Sequence, residues 1–351
     1  MAPSAGVLKS LTPVELSACR TAATFLQSDF WGAFKACFGW EARAFTAEWE
    51  SSGETAALPL LVLCRSLAAG FSLAYIPWGP PLPPLDGDAP RAAALNELAV
   101  SLKALLPAET AFIRFDPPWY TEGPAAAPPH IPPPFVRAGA DIQAPDTVLL
   151  NLEQTIEDLM LQMKPKWRYN ARLALKKGVT VRRAAPGEME VFYTLLKETA
   201  ARDGITIHHA AYYKTLLEAG IDTRLYLAEH EGDVLAGIVT LFRGREAVYL
   251  YGASSGKKRG LMAPYALQVK ALEDAKAAGC AEYDLFGIPP DDHPAHPMAG
   301  LYLFKTGFGG RIIHRPGSWD FPCRPLVYRL FRCAEGLRKG LRDLKKKRPG
   351  T

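Results

Sequence analysis

The chain has 351 residues, enough for one large or two medium domains with a sizeable core. Hydrophobic residues at 48% and charged residues at 22% exclude a mainly disordered, collagen-like or disulfide-stapled chain. The net charge of +5 is unevenly placed: residues 164–185 carry eight basic side chains and no acid, residues 324–348 ten basic against two acidic, and the remainder (5 minus 16) stands at −11. Localised basic surfaces on an otherwise acidic chain point to polyanionic partners. Six cysteines without CxxC spacing signal neither zinc nor a redox motif. The N-terminus lacks a signal-peptide pattern and no apolar run of about 18 residues occurs, so the expectation is a cytoplasmic protein that does not span the membrane.

In chain order, the first 145 residues are rich in Ala and Pro, and fourteen prolines within 77–90 and 117–134 make those stretches loops or polyproline segments. Between them LPLLVLCRSL (58–67), FSLAYIPW (71–78) and AFIRFD (111–116) read as strands, and RAAALNELAVSLKALL (91–106) as a helix. After IQAPDTVLLNLE proline thins out, placing a domain boundary near 145–152. Thr155 followed by Asp158 predicts a capped start for an interrupted helix that runs to a stop at Gly178. Helices are predicted at 188–202 and 211–218. RLYLAEH, VLAGIVTLF and EAVYLYGAS, joined by short turns, then predict an antiparallel meander. A helix at 263–278 and a strand at 281–288 complete an order that matches, by analogy, the acyl-CoA N-acyltransferase (GNAT) layout.

Three segments carry chemistry. In KPKWRYNARLALKKGVTVRR, Arg168, Arg172 and Lys176 share one helix face, where like charges oppose the helix unless a polyanion offsets them. Lys164, Lys166 and Lys177 extend the basic set, and Trp167 and Tyr169 are stacking surfaces or packing anchors. The alternative is a solvated helix face. SSGKKRGLMAPY lies where the GNAT layout holds an acyl-CoA pyrophosphate at a helix N-terminus, but Met262 places a bulky side chain there, which weakens a CoA reading. In GLYLFKTGFGG, Lys305 lies between aromatics, read as a strand end; an ammonium held beside Phe304 and Phe308 would stabilise a developing oxyanion, against the alternative of a structural lysine. His208-His209 and the Asp291-Asp292-His293 and His296 loop lack metal-ligand spacing, so no metal is expected.

Together WGAFKACFGWEARAF (31–45), YIPWGPPL (75–82), RYNARLALKKGV (168–179), FYTLLKETAARDG (192–204), YLYGASS (249–255), LMAPYALQVKALEDAKAAG (261–279), YDLFGIPP (283–290) and LYLFKTGFGG (301–310) resemble the Fem family of peptidoglycan bridge-forming aminoacyltransferases. The resemblance implies an α+β chain of two tandem GNAT-like domains, residues 1–148 completed by 311–351, and residues 149–310. It implies transfer of an aminoacyl group from aminoacyl-tRNA, the co-substrate, to the stem-peptide amine of a nucleotide-linked or lipid-linked peptidoglycan precursor, with no cofactor. By the same resemblance Lys305, beside Phe304, stabilises the tetrahedral transition state, Lys35 and Arg202 hold the precursor's diphosphate, Tyr251 and Tyr75 contact the precursor, and a precursor carboxylate takes the amine's proton. A tRNA donor also accounts for the basic run at Lys164, Lys166, Arg168, Arg172, Lys176 and Lys177. The helical-hairpin arm of some staphylococcal members of the family is missing between Tyr213 and Arg224, and the basic helix expected at 326–347 suits an anionic inner leaflet or tRNA, against the alternative of a solvated tail. The competing functions are an acyl-CoA-dependent N-acyltransferase, a lipid-aminoacylating enzyme and a non-catalytic RNA- or membrane-binding module.

Overall fold

The structure, a computed structural model, describes residues 6–347. The chain runs β1 (Val7–Val14), α1 (Asp29–Ala36), β2 (Glu41–Ser51), β3 (Glu54–Ser66), β4 (Ser72–Ile76), α2 (Asp88–Leu105), β5 (Thr110–Phe115), β6 (Thr121–Glu122), β7 (Val136–Arg137), β8 (Asp146–Asn151), α3 (Ile156–Gln162), α4 (Pro165–Lys176), β9 (Thr180–Arg183), α5 (Met189–Asp203), α6 (Ala210–Glu218), β10 (Asp222–His230), β11 (Asp233–Arg243), β12 (Glu246–Ser254), α7 (Ala263–Ala277), β13 (Glu282–Asp284), α8 (Ala299–Thr306), β14 (Arg311–His314), β15 (Trp319–Pro322) and α9 (Pro325–Lys347). It divides into two units. Unit 1 comprises the chain up to Thr121, Ala127–Pro145 and the chain from Arg315, and unit 2 comprises Glu122–Ala126 and Asp146–His314.

Unit 1 holds a sheet in the order β1-β2-β3-β4-β5-β15-β7. The β2–β3 hairpin turns through Ser52 (φ 55°) and Gly53 (φ 83°) between the paired Ser51 and Glu54, the two left-handed residues that a tight hairpin needs. β4 and β5 pair in parallel, which requires a crossover, and α2 supplies it. Leu95, Leu98 and Leu102 of α2 pack with Trp49, Leu60, Val62, Ile113 and Phe115 of the sheet. The segment after Arg315 contributes β15, inserted between β5 and β7.

Unit 2 repeats the plan in a sheet ordered β6-β14-β8-β13-β12-β11-β10-β9. β10, β11 and β12 form the expected antiparallel meander, and β12 pairs in parallel with β13 through the crossover α7. Thr155 caps α3, its Oγ1 accepting from Asp158 N at 3.1 Å. The interruption falls at Met163 and Lys164, before Pro165 opens α4. The link from α6 to β10 is short, Glu218 to Asp222, with no helical arm. The fold is α+β, two tandem GNAT-like repeats.

Three expectations need correction. Lys305 is not at a strand end: residues 299–306 form helix α8, the apolar and aromatic run being helical in spacing and not alternating. The strand expected over 281–288 stops at Asp284, because the Asp284 carboxylate captures Phe286 N at 2.7 Å and Phe286 turns left-handed (φ 56°). Residues 311–314 do not return to the first unit; β14 pairs antiparallel with β8, so the return begins at Arg315.

Candidate active site

Lys305 lies in the last turn of α8 and is 6% exposed. Its ammonium donates to Phe286 O and, at 2.9 Å, to Gly287 O, and it stands 5.1 Å from the Tyr249 ring centroid. The two carbonyls converge because of the turn after β13. Asp284 Oδ1 accepts from Phe286 N and from the Thr147 hydroxyl, which holds Phe286 in a conformation unfavourable for a bulky residue. Burial lowers the Lys305 pKa to about 7, opposed by the charge of Asp284. An ammonium has three donors. Two are spent on carbonyls, leaving one uncommitted among the described residues: a fixed cation with a donor to offer. Asp284, Thr147 and Tyr249 are parts of this arrangement that sequence reasoning missed; the YDLFG and YLYG strings hinted at Asp284 and Tyr249, and no string at Thr147.

The face around Tyr249 is set by a bulge in β12. Tyr249 pairs with Thr240 and Tyr251 with Val239, so Leu250 is extra and the alternation slips by one. Tyr249 therefore joins Leu261, Met262, Tyr265 and Phe304 against the core of unit 2, whereas Tyr251 packs against Tyr212 and Tyr213 of α6 and His208. The two tyrosines serve opposite sides of the strand, and Tyr251 is not brought to Lys305. A Cβ on Gly252 would lie 1.8 Å from the Tyr249 hydroxyl, so glycine is required there.

Phe304 contributes packing, with its ring 5.4 Å from Tyr265 and 5.1 Å from Phe308, and its carbonyl accepts from Trp167 Nε1 at 2.8 Å. A Cβ on Gly307 would meet the Trp167 ring at 2.1 Å. Lys164 N donates to Gly307 O at 2.9 Å. Trp167 is thus a packing anchor that fastens α4 to the helix carrying Lys305. On the outer side of α4, Lys164, Lys166, Arg172, Lys176 and Lys177 are exposed, and none has an ion-pair partner among the described residues. Arg168 differs: its guanidinium donates to Met160 O at 3.3 Å and Leu161 O at 3.0 Å, capping α3. Arg182 and Arg183, the end of the same basic run, pair with Glu188, Glu229 and Asp222.

Arg202, in the last turn of α5, donates to Ser254 O at 2.9 Å and grips the Asp203 carboxylate at 2.8 and 3.0 Å. It lies beside the 254–265 loop, where a cavity of about 370 Å³ is lined by Ser254, Lys258, Arg259, Met262 and Tyr265. Lys257 and Lys258 are paired with Asp233, and Lys258 also with Glu231. Met262 (φ 57°) is half-buried, packed against the core of unit 2 while still lining this cavity.

In unit 1, Lys35 of α1 sits 5.5 Å from the Trp31 ring and 5.7 Å from the Trp40 ring. Arg65 lies over the same Trp40 ring at 5.3 Å. Burial, then the neighbouring Arg65 charge, lowers the Lys35 pKa. Tyr75, expected to touch a ligand, is instead 2% exposed with its hydroxyl donated to Asp116. Asp116 also accepts from the Ser318 hydroxyl and, at 3.4 Å, from Gln143 N, and burial pushes its pKa up to about 6. Among the described residues no group of three or more His, Cys, Asp or Glu is placed to hold a metal.

Tandem GNAT-like repeats with a carbonyl-held ammonium in the second define a protein of acyltransferase layout. The FemAB family model matches residues 135–229 and 223–336, more than half of the chain, and the chain belongs to that family. Lipid II:glycine glycyltransferase of Staphylococcus aureus (strain USA300) is 24% identical, covering 87% of this chain and 89% of the relative. Lipid II:glycine glycyltransferase of Staphylococcus epidermidis (strain ATCC 35984) is 23% identical over 54% of this chain, and the match spans 61% of that relative's length. Among solved structures, that of FemX superposes with a TM-score of 0.75 over 92% of this chain and all of its own, at 20% identity.

Proposed function

We propose that the chain is an aminoacyltransferase that moves an aminoacyl group from aminoacyl-tRNA to the stem-peptide amine of a peptidoglycan precursor, lipid-linked or nucleotide-linked, at the cytoplasmic side of the membrane. The observation that carries the reading is Lys305, a buried ammonium with two N–H groups fixed by Phe286 O and Gly287 O and a third left to offer. The amine nitrogen attacks the ester carbonyl carbon. The carbonyl oxygen gains negative charge, and Lys305 stabilises it without reorganising at the moment of reaction. As the bond to the ribose oxygen breaks, that oxygen takes up a proton and leaves as a hydroxyl, and the attacking nitrogen gives up a proton, with a precursor carboxylate as its acceptor. The ester is already activated, so orientation and charge stabilisation suffice without a cofactor.

The donor reading is supported by the exposed, acid-free face of α4, tied by Trp167 to the helix of Lys305. The relatives' names support a peptidoglycan acceptor. Lys35 and Arg202 are assigned to the precursor's diphosphate, a task for charge-assisted hydrogen bonds, in which Arg202 would exchange its Asp203 partner for phosphate oxygens. Tyr251 is assigned a supporting contact.

Mass spectrometry of lipid-linked and nucleotide-linked muropeptides after incubation with charged total tRNA tests the reading. A gain of one aminoacyl mass that requires tRNA is expected. Gain only with acetyl-CoA, run as a control, would overturn the donor assignment, and no gain on either precursor would overturn the acceptor assignment.

A further inference from the structure

Among its described residues, helix α9 packs on unit 1 through one face. The Tyr328 hydroxyl donates to Asp320 at 3.0 Å, the Phe331 ring lies 4.8 Å from Phe112, and Arg332 donates to Arg137 O at 2.7 Å. These positions, 328, 331 and 332, share one side of a 3.6-residue repeat. The opposite side carries Leu326, Leu330 and Leu337, which are 75%, 72% and 71% exposed, with the exposed Cys333 among them. Four-residue and seven-residue spacing aligns the three leucines in a single stripe. Such a stripe on the outside of a helix costs solvation free energy and is not part of the fold's own packing.

The flanks of the stripe are basic. Arg329 and Arg338 are exposed beside it, and residues 324–348 hold ten basic and two acidic side chains. Charge decides among occupants. A second copy of the helix would bring +8 against +8. An RNA would satisfy the arginines but offers no apolar surface to three leucines. An anionic bilayer satisfies both, accepting leucines among its acyl chains and pairing its headgroups with the flanking cations. Outside the two basic segments the chain carries −11 (5 minus 16), so such a surface would repel most of the molecule and attract the two basic segments, of which this helix carries the leucine stripe.

We propose that the outward face of α9 docks the protein on an anionic phospholipid bilayer, with Leu326, Leu330 and Leu337 inserted and Arg329 and Arg338 on headgroups. The docking is separate from the transfer reaction and does not require it. The test is co-sedimentation of the full chain with vesicles of phosphatidylglycerol and phosphatidylcholine in equal parts, against phosphatidylcholine alone, at about 0.1 M salt, where surface electrostatics still reach about 10 Å. Binding to the anionic vesicles only is expected. The variant L326Q/L330Q/L337Q, which keeps good helix formers on exposed positions, should bind at least about tenfold more weakly, since burying one leucine alone is worth about that factor. R329E/R338E should lose at least about fivefold per charge. Both variants should retain wild-type melting temperatures. No binding to anionic vesicles would overturn the proposal. So would leucine variants that bind like wild type, and duplex RNA displacing the protein while the leucine variant behaves normally would reassign the helix to RNA. The assay contains no transfer substrate, so its failure and a failure of the transferase reading are read separately.

Discussion

Replacing Lys305 by methionine removes the charge while keeping most of the volume, and the pH dependence of stability then reports whether the ammonium is held as described. Burial lowers the group from 10.5 to about 7 in the folded chain. Between those values the unfolded chain binds more protons than the folded one. Stability therefore rises with pH across that window and is lowest, and flat, below pH 7. The full difference, 3.5 units at about 1.4 kcal/mol each, is roughly 5 kcal/mol, of which roughly 3 kcal/mol is gained between pH 6 and pH 9. Urea unfolding of the full chain, followed by far-ultraviolet circular dichroism at intervals from pH 6 to pH 9, should show the wild type gaining about that amount relative to Lys305→Met. At pH 6 the variant should be the more stable of the two, because it no longer buries a charge, although it leaves two carbonyls without a donor. Parallel curves for the two proteins would refute the buried ammonium.

Gly252→Ala should displace the Tyr249 hydroxyl, 1.8 Å from the new Cβ, and cost about 1–3 kcal/mol in thermal unfolding together with most of the transfer rate. Lys166→Glu, Arg172→Glu and Lys176→Glu should raise the KM for charged tRNA and flatten its salt dependence by about one unit of slope for every phosphate no longer neutralised, whereas Arg168→Ala should lower stability by uncapping α3. Tyr75→Phe leaves the buried Asp116 with one donor fewer; a loss of about 1–3 kcal/mol is expected, with the transfer rate unchanged well below the melting temperature.

The regular elements are legible where period and punctuation agree. The α2 leucines at helical spacing, the Thr155 cap, the Pro165 restart and the β10–β12 meander with its glycine turns each announce themselves within a short window. The site is legible only in its ionic parts. Lys305 stands out by its aromatic neighbours, yet its true partners are backbone carbonyls 18 and 19 residues away, which no residue pattern encodes. The helix α8 is hard to read because a short continuous apolar run, Leu301 to Phe304, although it does not alternate, is also what a fully buried strand shows. The slip at Leu250 that sends Tyr249 and Tyr251 to opposite sides arises from pairing with β11, a tertiary choice invisible in the strand itself. The role of Tyr75 is hidden for the same reason: its partner Asp116 and their shared neighbour Ser318 come together only when β15 enters the first sheet.

The most direct measurement is single-turnover transfer from charged tRNA to the precursor, with wild type and Lys305→Met at equal saturation. Removal of one fixed oxyanion donor predicts a fall of about a hundred- to a thousandfold in the transfer step, with affinities for both substrates preserved. An unchanged rate constant, or a loss confined to binding, would contradict the role assigned to Lys305.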